Sequence, residues 1–321
     1  MSPVAGREVT VSVPATSANL GPGFDTLGLA LRLRDEVTVR CSAAGSPADT
    51  RIRISGEGAA MVPRDDGHLV AGTIRRSFAE MGVTQPGLSV DARNAIPHGR
   101  GLGSSAAAIV AGIGAAMALV DPTRPLDHAA VLVAAAAVEG HPDNVAACVY
   151  GGLTLAWTEP TGARAQPLPI LDREVVLVVP EAPFATHLAR SLLPPVVGHD
   201  EAASNAGRSS LLVAVLTGAA PRTHLLHATE DLLHQPYRAS AQPATTQVLT
   251  GLRAAGIAAV LSGAGPAVLA FCGADRVAEV ETVVAGTAMA GRARVLTLPV
   301  DLDGLRLGGA ESQAESVAAA G

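Results

Sequence analysis

The residues best suited to chemistry form one short segment, Pro97-His-Gly-Arg-Gly-Leu-Gly-Ser-Ser-Ala-Ala107. Glycines at the alternate positions 99, 101 and 103 allow the backbone to curl, because glycine adopts left-handed conformations at little cost. Two hydroxyl side chains, Ser104 and Ser105, follow directly. A curled backbone that ends in hydroxyl groups is typical of a loop that binds an anion.

The elements on either side of this segment strengthen that interpretation. Apolar and polar residues alternate over residues 88–95, which predicts a strand, and small apolar residues predict a helix over about residues 106–119. The first N–H groups of a helix have no partner inside it, and the helix dipole is positive at that end. The segment is therefore predicted to bind an anion, most often phosphate.

Two well-known phosphate motifs fit this segment poorly. A Walker-type loop requires a lysine before the serine or threonine, but Gly103 stands there and the chain contains no lysine. The dinucleotide-binding pattern is present as Gly101-x-Gly103-x-x-Ala106, with Asp121 further along. However, the strand before it is polar on one face, whereas a central parallel strand is usually apolar throughout.

Two other interpretations do not involve phosphate. A hydrolase would combine a serine with His98 or His141 and Asp143, yet the pattern Gly-x-Ser-x-Gly is absent. A glycine turn that only allows close helix packing would not need paired serines. The remaining interpretation is a loop that binds a triphosphate through main-chain N–H groups, with Mg²⁺ and arginines supplying positive charge. The residues alone favour this last interpretation and leave the dinucleotide, hydrolase and packing alternatives open.

Composition limits the class of protein. The 321 residues are 48% hydrophobic and only 2% aromatic, which suffices for two domains with aliphatic cores. The net charge is −6 with no basic run, so no nucleic-acid partner is expected. Cys41, Cys148 and Cys272 lack the spacing of a zinc site or a disulfide framework. Residues 1–15 do not resemble a signal peptide, and the apolar segments are too short to span a bilayer, so we expect a cytoplasmic protein without membrane contact.

The order of predicted elements indicates an α+β protein of two domains, because antiparallel strands and helices are mixed without regular alternation. The first strand is predicted over residues 8–14 and ends at Pro14. The segment 159–169, rich in Pro, Gly and Ala, is interpreted as a linker. We therefore expect an N-terminal domain over 1–165 and a C-terminal domain over 166–305. The small and polar residues of 306–321 predict a disordered tail.

Four segments resemble motifs of the superfamily of galactokinase, homoserine kinase, mevalonate kinase and phosphomevalonate kinase (GHMP kinases). Each glycine motif alone has modest specificity, but the four occur in the right order and span about residues 8–300. The segments 14–25 and 139–152 have the form typical of the homoserine kinases. In chain order they are Pro14-Ala-Thr-Ser-Ala-Asn-Leu-Gly-Pro-Gly-Phe-Asp25, the segment 97–107, Glu139-Gly-His-Pro-Asp-Asn-Val145 with Tyr150-Gly-Gly152, and Leu261-Ser-Gly-Ala-Gly-Pro-Ala-Val-Leu269.

The resemblance implies a fold and an activity. The fold is a two-domain GHMP kinase fold, with an N-terminal α/β domain containing a left-handed βαβ crossover and a ferredoxin-like C-terminal domain. The activity is transfer of the γ-phosphoryl group of ATP, with Mg²⁺, to the side-chain hydroxyl of L-homoserine on the route to threonine. The alternatives are another GHMP enzyme acting on mevalonate, a sugar or shikimate, and a nucleotide-binding protein without catalysis. A homodimer is expected by analogy.

The resemblance also assigns the nucleotide site. The ATP-binding residues are expected to be those of the glycine segment, namely Pro97, His98, Gly99, Arg100, Gly101, Leu102, Gly103, Ser104, Ser105, Ala106 and Ala107. The segment 262–265 is expected to support this loop across the cleft. Ser105, or alternatively Ser104, and Glu139 are the expected Mg²⁺ ligands, since Mg²⁺ prefers a few protein oxygens completed by phosphate and water.

Homoserine presents a carboxylate, an ammonium group and a hydroxyl, and each needs a partner. Arg190 and Arg238 fall where the family places its carboxylate-binding arginines, and a guanidinium suits a carboxylate because it donates two parallel hydrogen bonds. Asp25 and His141 are the other expected substrate-binding residues.

The expected catalytic residues are Asp143, Asn19 and Asn144. Asp143 is assigned to orient the attacking hydroxyl. Whether it also accepts the proton stays open, because phosphoryl transfer depends mainly on alignment and charge stabilisation. The alternative for Asp143-Asn144 is a purely structural helix cap after Pro142.

Overall fold

The computed structural model of the chain describes residues 4–42, 49–65 and 67–308. Its strands are β1 (Glu8–Ala18), β2 (Leu27–Cys41), β3 (Arg51–Gly56), β4 (Leu88–Asn94), β5 (Leu153–Glu159), β6 (Gly162–Leu168), β7 (Glu174–Pro180), β8 (Ala259–Leu261), β9 (Val268–Ala270), β10 (Ala293–Pro299) and β11 (Arg306–Leu307). Its helices are α1 (Leu69–Glu80), α2 (Ser104–Val120), α3 (His128–Glu139), α4 (Asp143–Tyr150), α5 (Thr186–Ser191), α6 (His199–Leu216), α7 (Leu225–Ala228), α8 (Gln235–Arg238), α9 (Pro243–Ala254) and α10 (Val277–Ala285). Short 3₁₀ turns cover Arg222–His224, Ala239–Ala241 and Ala274–Arg276.

The first sheet has the order β11-β1-β2-β4-β3, and the hairpin β5–β6 is attached to β2. β1 and β2 form a long antiparallel pair whose register shifts between Pro14 and Ala15. Proline lacks an N–H donor and is accommodated at such irregularities. β1 therefore continues through Pro14 to Ala18, and the prediction that the strand ends at Pro14 was wrong.

β3 and β4 are parallel neighbours joined by α1. The resemblance implies a left-handed βαβ crossover in the N-terminal domain, and β3, α1 and β4 form a βαβ unit there. From the end of β4 the chain enters the segment 97–107 and then α2, as the sequence predicted. The glycine segment thus lies between the end of β4 and the N-terminus of α2.

The second sheet has the order β10-β7-β9-β8, with every neighbouring pair antiparallel. Numbered within this half of the chain, the order is 4-1-3-2, and helical segments connect the first strand to the second and the third to the fourth. This is the ferredoxin-like arrangement that the resemblance implied.

β7 is apolar at successive positions, and its two faces are buried in two different cores. Val176 and Val178 belong to a core formed with α9 and α10. Val175, Leu177 and Val179 belong to the larger core that also contains the first sheet and α2. Apolar packing therefore joins the two halves, and each half can contribute side chains to a common cleft.

Two predictions about organisation need correction. The segment 159–169 is not a linker, because β6 (Gly162–Leu168) pairs with β5 along its whole length. Its Ala, Gln and Pro residues are weak strand formers, and the strand exists through its partner. Arg306 and Leu307, assigned to the disordered tail, pair with Ser12 and Val11 of β1. Residues 309–321 lie outside the described residues, and the domain boundary at 165/166 stays a prediction.

Candidate active site

Gly101 and Gly103 give the loop 97–107 its shape. Both have positive φ angles, 73° and 69°, in the left-handed region that favours glycine. A Cβ atom on Gly101 would lie 2.1 Å from the carbonyl oxygen of Ser262, and one on Gly103 would lie 1.9 Å from Oγ1 of Thr16. The loop passes so close to its neighbours that no side chain fits at either position.

The loop ends at the N-terminus of α2. Gly103 occupies the N-cap position and offers no side chain to the helix. The first main-chain hydrogen bond of the helix runs from the N–H of Ala107 to the carbonyl oxygen of Gly103, at 2.8 Å. The N–H groups of Ser104, Ser105 and Ala106 therefore have no partner within the helix and can donate to a bound anion.

A cavity of about 270 Å³ adjoins this helix end. Most of its walls are apolar. Its polar or charged lining residues are Asp35, His68, Asn94, His98, Ser104 and Ser105. A mainly apolar cleft with a few polar groups, beside a loop predicted to bind phosphate, has the composition that suits a nucleotide base and ribose.

The third glycine segment holds the loop in place. Oγ of Ser262 donates to the carbonyl oxygen of Gly101 at 2.6 Å and lies 2.9 Å from Oγ of Ser17. The N–H of Ala267 donates to the carbonyl oxygen of Arg100 at 3.2 Å. The expected contact between 262–265 and the phosphate loop is therefore present.

The other side chains of the loop serve mainly to anchor it. Pro97, Leu102, Ala106 and Ala107 are buried. His98 is partly buried and contacts the side-chain amide of Asn94 at 3.3 Å, and burial lowers its pKa. These residues can offer a ligand their main chain more readily than their side chains.

Arg100 is also used within the protein. Its guanidinium donates to the carbonyl oxygens of His98, Pro180 and Glu181. These bonds fasten the phosphate loop to the end of β7. Because its bonded donors point at carbonyl oxygens, Arg100 contributes to the anchoring of the loop, whereas the sequence suggested arginine as a counter-charge for phosphate.

The two expected Mg²⁺ ligands lie together. Oγ of Ser105 donates to Oε2 of Glu139 at 2.8 Å, which joins the start of α2 to the end of α3. Among the described residues, no group of three or more His, Cys, Asp or Glu side chains could hold a metal ion. An ion at this position would rely on these two oxygen ligands, on phosphate and on water, which is the usual environment of Mg²⁺.

Asp143 lies at the first position of α4, after the N-cap Pro142. Its side chain is 2% exposed. Oδ1 accepts hydrogen bonds from the N–H of Asn144 at 2.7 Å and from Nδ1 of His141 at 2.8 Å. The bond to Asp143 raises the pKa of His141, although burial opposes the shift. Oδ2 accepts no hydrogen bond from the described residues and remains available to a ligand.

The loop between β1 and β2, residues 19–26, is the first loop of the site, and it carries backbone strain. Asn19, Leu20 and Asp25 have φ angles of 68°, 50° and 54°, which are unfavourable for residues other than glycine. Oδ1 of Asn19 accepts from the N–H of Asp25 at 3.0 Å, and Nδ2 donates to the carbonyl oxygen of Gly263 at 3.0 Å. Strained conformations that the surroundings enforce are concentrated at functional sites.

Arg190 on α5 pairs with Asp25 on the first loop. Its Nη2 lies 2.7 Å from Oδ1 and 2.9 Å from Oδ2 of Asp25. The guanidinium also lies 5.5 Å from the centre of the Phe24 ring. The pair is partly exposed, so a ligand can reach both charges.

Arg238 on α8 is a buried charge, 3% exposed. Its Nη1 donates to Nδ1 of His234 at 2.8 Å and to the carbonyl oxygen of Gly263 at 3.1 Å. Within the described part of the chain, no carboxylate forms an ion pair with it. Burial lowers the pKa of Arg238 to about 10, so it is charged at neutral pH. A buried cation without a bonded carboxylate is costly, which favours an anionic ligand here.

His234 holds Arg238 in place, and sequence reasoning missed it. Its Nε2 lies 2.9 Å from the carbonyl oxygen of Gly21, and its ring stacks on Phe24 at 5.3 Å between centres. Because Nδ1 accepts from Arg238, Nε2 carries the proton. The spacing of four residues between His234 and Arg238 is the signal that could have suggested their contact.

The charged groups of the first loop, of the segment 139–143 and of α8 form one cluster. The pKa of His141 is raised by Asp143, and to a smaller extent by Glu139 and Asp25. Asp25 and Asp143 also raise the pKa of Arg238, against the larger effect of its burial. The structure therefore brings the predicted substrate and catalytic residues together, next to the phosphate loop.

None of the described helices has the length and apolarity needed to cross a membrane.

Comparison with known proteins agrees with this geometry. Residues 68–152 match the N-terminal domain model of the GHMP kinases, and residues 221–288 match the C-terminal domain model. The chain is 52% identical over 272 residues to homoserine kinase of Leifsonia xyli, covering 84% of this chain and 82% of that protein. It is also 52% identical over 281 residues to homoserine kinase of Streptomyces coelicolor, covering 87% of this chain and 89% of that one.

Solved structures show the same architecture. The crystal structure of homoserine kinase from Cytophaga hutchinsonii superposes with a TM-score of 0.81 at 26% identity, covering 94% of this chain and 97% of that one. Mevalonate diphosphate decarboxylase from Staphylococcus aureus shares the fold, with a TM-score of 0.70 at 13% identity over 94% of this chain and 98% of that one. Sequence and fold together show that this chain belongs to the homoserine kinases of the GHMP kinase superfamily.

Proposed function

We propose that this enzyme transfers the γ-phosphoryl group of ATP to the side-chain hydroxyl of L-homoserine, giving O-phospho-L-homoserine in threonine biosynthesis. Relatives with 52% identity carry the name homoserine kinase. The observation that carries the proposal is the charge pattern of the cleft. A buried arginine, an Asp–Arg pair and a buried aspartate lie beside a phosphate-binding loop. This pattern complements a small zwitterion that bears a hydroxyl.

The carboxylate of homoserine would bind Arg238 and Arg190. Arg238 is already desolvated and lacks a bonded carboxylate, so it gains an anionic partner without further loss of hydration. Arg190 would exchange the carboxylate of Asp25 for that of the substrate, and Asp25 would then accept the substrate ammonium group. The substrate thus replaces one ion pair by two complementary ones.

The hydroxyl of homoserine would bind near Asp143. Oδ1 is used by His141 and by the N–H of Asn144, which leaves Oδ2 to accept the hydroxyl proton in a hydrogen bond. His141 would keep the carboxylate in one orientation through its hydrogen bond to Oδ1, and would contact the substrate next to it. Asn19 shapes the strained loop that carries Asp25. In a loose phosphoryl transfer, alignment by Asp143 contributes more than its basicity.

The triphosphate of ATP would lie on the main-chain N–H groups of the loop and of the first turn of α2, with the base and ribose in the adjoining cavity. Ser105 and Glu139 would hold Mg²⁺, since both offer the oxygen donors that this ion prefers. When bound, the ion neutralises phosphate charge. Cytoplasmic location and a homodimer stay predictions.

The direct test is ADP release at millimolar Mg²⁺ with a panel of acceptors. The panel contains L-homoserine, its D enantiomer, mevalonate, galactose and shikimate. We expect turnover with L-homoserine and identification of its O-phosphate by phosphorus NMR. The matched control is the Asp143→Asn protein purified in the same way, which reports any contaminating kinase. Turnover with mevalonate or a sugar and none with L-homoserine would assign the enzyme to another branch of the superfamily.

A further inference from the structure

Thr16, on β1, connects the phosphate loop to the catalytic segment. Its side chain is fully buried. The N–H of Thr16 donates to the carbonyl oxygen of Leu102 at 3.1 Å. Its hydroxyl donates to Oδ1 of Asn144 at 2.7 Å. The same hydroxyl occupies the space that a side chain on Gly103 would need. Thr16 therefore contacts both the loop expected to bind phosphate and the residue next to Asp143.

The hydrogen bond between Thr16 and Asn144 has a definite direction. The Thr16 hydroxyl is buried, and Oδ1 of Asn144 is its only hydrogen-bonding partner among the described residues. If the amide were reversed, its NH₂ group would donate to Thr16 and the hydroxyl proton would have no acceptor. An unsatisfied buried donor is costly, so the orientation with Oδ1 toward Thr16 is favoured.

The opposite end of the Asn144 amide is left for a ligand. Nδ2 has no hydrogen-bond partner among the described residues. Among the described residues, the buried side-chain N and O atoms without a hydrogen-bond partner are Oδ2 of Asp172 and Oε1 of Gln242. Nδ2 of Asn144 also lacks a partner within the described chain but does not belong to this buried group, so it is accessible to a ligand. Asp143 directly precedes Asn144 and has a free acceptor, Oδ2. A free donor and a free acceptor thus occur on adjacent residues at the start of α4.

We propose that Thr16 is a positioning residue that fixes the Asn144 amide so that its NH₂ group, and not its carbonyl oxygen, faces the reacting groups. The inference rests on the proposed function. The charge that spreads over the phosphoryl oxygens during transfer requires donors, and a carbonyl oxygen at the same place would repel it. The hydroxyl proton requires an acceptor, which Asp143 supplies. Thr16 therefore determines whether the donor or the acceptor group of the Asn144 amide faces the reacting groups, and it does so without contacting the substrate.

The matched pair Thr16→Ser and Thr16→Ala tests this proposal, because the two variants differ only in the hydroxyl. We expect kcat of Thr16→Ala to be about tenfold below that of Thr16→Ser, the loss expected for one oriented hydrogen bond. The KM values for ATP and homoserine should be similar in the two variants. Equal kcat values, or a loss confined to KM for ATP, would overturn the proposal and indicate a structural role beneath Gly103.

A double-mutant cycle separates action through Asn144 from a general loosening of the loop. In the Asn144→Ala background, Thr16→Ser and Thr16→Ala should have the same kcat, because the amide that Thr16 orients has gone. If the tenfold difference between them persists in that background, Thr16 does not act through Asn144. Thermal unfolding of the two single and two double variants identifies any that fails to fold.

A readout without turnover distinguishes failure of this inference from failure of the proposed function. The side-chain NH₂ signals of Asn144 are identified in an NMR spectrum as those lost in Asn144→Ala. They should be nearly unchanged in Thr16→Ser, and shifted or broadened in Thr16→Ala. Unchanged signals in Thr16→Ala would contradict the inference whatever the acceptor substrate is. A protein that is inactive on L-homoserine but shows the expected NMR difference would contradict only the proposed function.

Discussion

The two ends of the cleft are built in opposite ways. At the proposed nucleotide end, the groups available to a ligand are mainly main-chain N–H groups, presented by left-handed glycines at 101 and 103 and an uncapped helix N-terminus. At the proposed amino-acid end, the groups available to a ligand are charged side chains from distant segments, chiefly Asp25, Arg190 and Arg238. At the first end, the N–H groups of Ser104, Ser105 and Ala106 have no partner within the helix. At the second end, Arg190 and Asp25 are bonded to each other and would have to separate for both to bind the proposed substrate.

This difference indicates where selectivity arises. Main-chain N–H groups accept any suitably shaped polyphosphate. By contrast, opening the Asp25–Arg190 pair leaves two charges that each need a new partner. A zwitterion such as homoserine supplies both partners, whereas a simple alcohol or a carboxylic acid without an amino group leaves one charge unpaired. We therefore expect discrimination between substrates to arise at the proposed amino-acid end rather than at the proposed nucleotide end.

The largest effect is expected from Asp143→Asn, in which an NH₂ group would replace Oδ2, the oxygen proposed to accept from the substrate hydroxyl. kcat should fall about 1,000-fold, within the range for loss of a positioned carboxylate. ATP binding measured by calorimetry should be preserved, because the phosphate loop is intact. Full kcat in this variant would show that Asp143 only caps α4.

Gly101→Ala tests the main-chain end of the cleft. The added Cβ would meet the carbonyl oxygen of Ser262 at 2.1 Å in a residue whose φ is 73°. The free energy of unfolding should fall by about 3 kcal/mol, and calorimetry should detect no ATP binding. The matched control is Gly82→Ala, with a φ of 67° and no atom within 4 Å of the added Cβ. It should cost only about 1–2 kcal/mol and leave ATP binding intact.

If Gly101→Ala binds ATP as the natural protein does, the loop is not the phosphate site. If Gly82→Ala is equally destabilised in urea unfolding, the cost comes from the left-handed backbone alone and not from close approach to Ser262.

Arg190→Lys tests the side-chain end. A lysine keeps the charge but cannot donate the two parallel hydrogen bonds of a guanidinium. The KM for homoserine should rise about tenfold while the KM for ATP stays unchanged. Arg53→Lys is the control, since Arg53 is 83% exposed on β3, away from the cleft. An unchanged KM for homoserine would remove Arg190 from the binding site.

The smallest effect concerns Asp35, which lines the nucleotide cavity and whose Oδ1 accepts from the N–H groups of Ala95 and Ile96. Burial raises the pKa of Asp35 to about 6, although these two hydrogen bonds oppose the shift. Between pH 7 and pH 5 the folded protein takes up a proton that the unfolded chain does not bind, so folding is favoured as the pH falls. Relative to Asp35→Asn, the unfolding free energy should rise by about 1 kcal/mol over this interval. Parallel urea titrations of the two proteins that show no pH-dependent difference would contradict this assignment.

The main-chain end of the cleft could be predicted from the sequence because its cause is local. The glycines of 97–107 and the apolar helix after them determine the loop and the helix end within one segment. The Ser105–Glu139 contact could be inferred only from the resemblance, since the two residues come from different helices. The β6 strand was missed for the opposite reason. Its residues have low strand propensity, and it forms only because β5 offers a partner.

The side-chain end could be predicted only in part. Arg190 and Arg238 were located by their motif positions, but the bond of Arg190 to Asp25 depends on how the two halves pack. The contacts of His234 with Gly21 and of Thr16 with Asn144 join segments far apart in the chain. No periodicity or spacing within one segment encodes such pairs, because they arise from tertiary structure.

The proposed division of the cleft gives the nucleotide to main-chain N–H groups and the amino acid to guanidinium groups. A crystal structure with Mg²⁺, a non-hydrolysable ATP analogue and L-homoserine tests it most directly. We expect phosphate oxygens on the N–H groups of the loop and of the first turn of α2, the homoserine carboxylate on Arg190 and Arg238, and an opened Asp25–Arg190 pair. Phosphates bound by arginine side chains, or an intact Asp25–Arg190 pair with homoserine present, would contradict it.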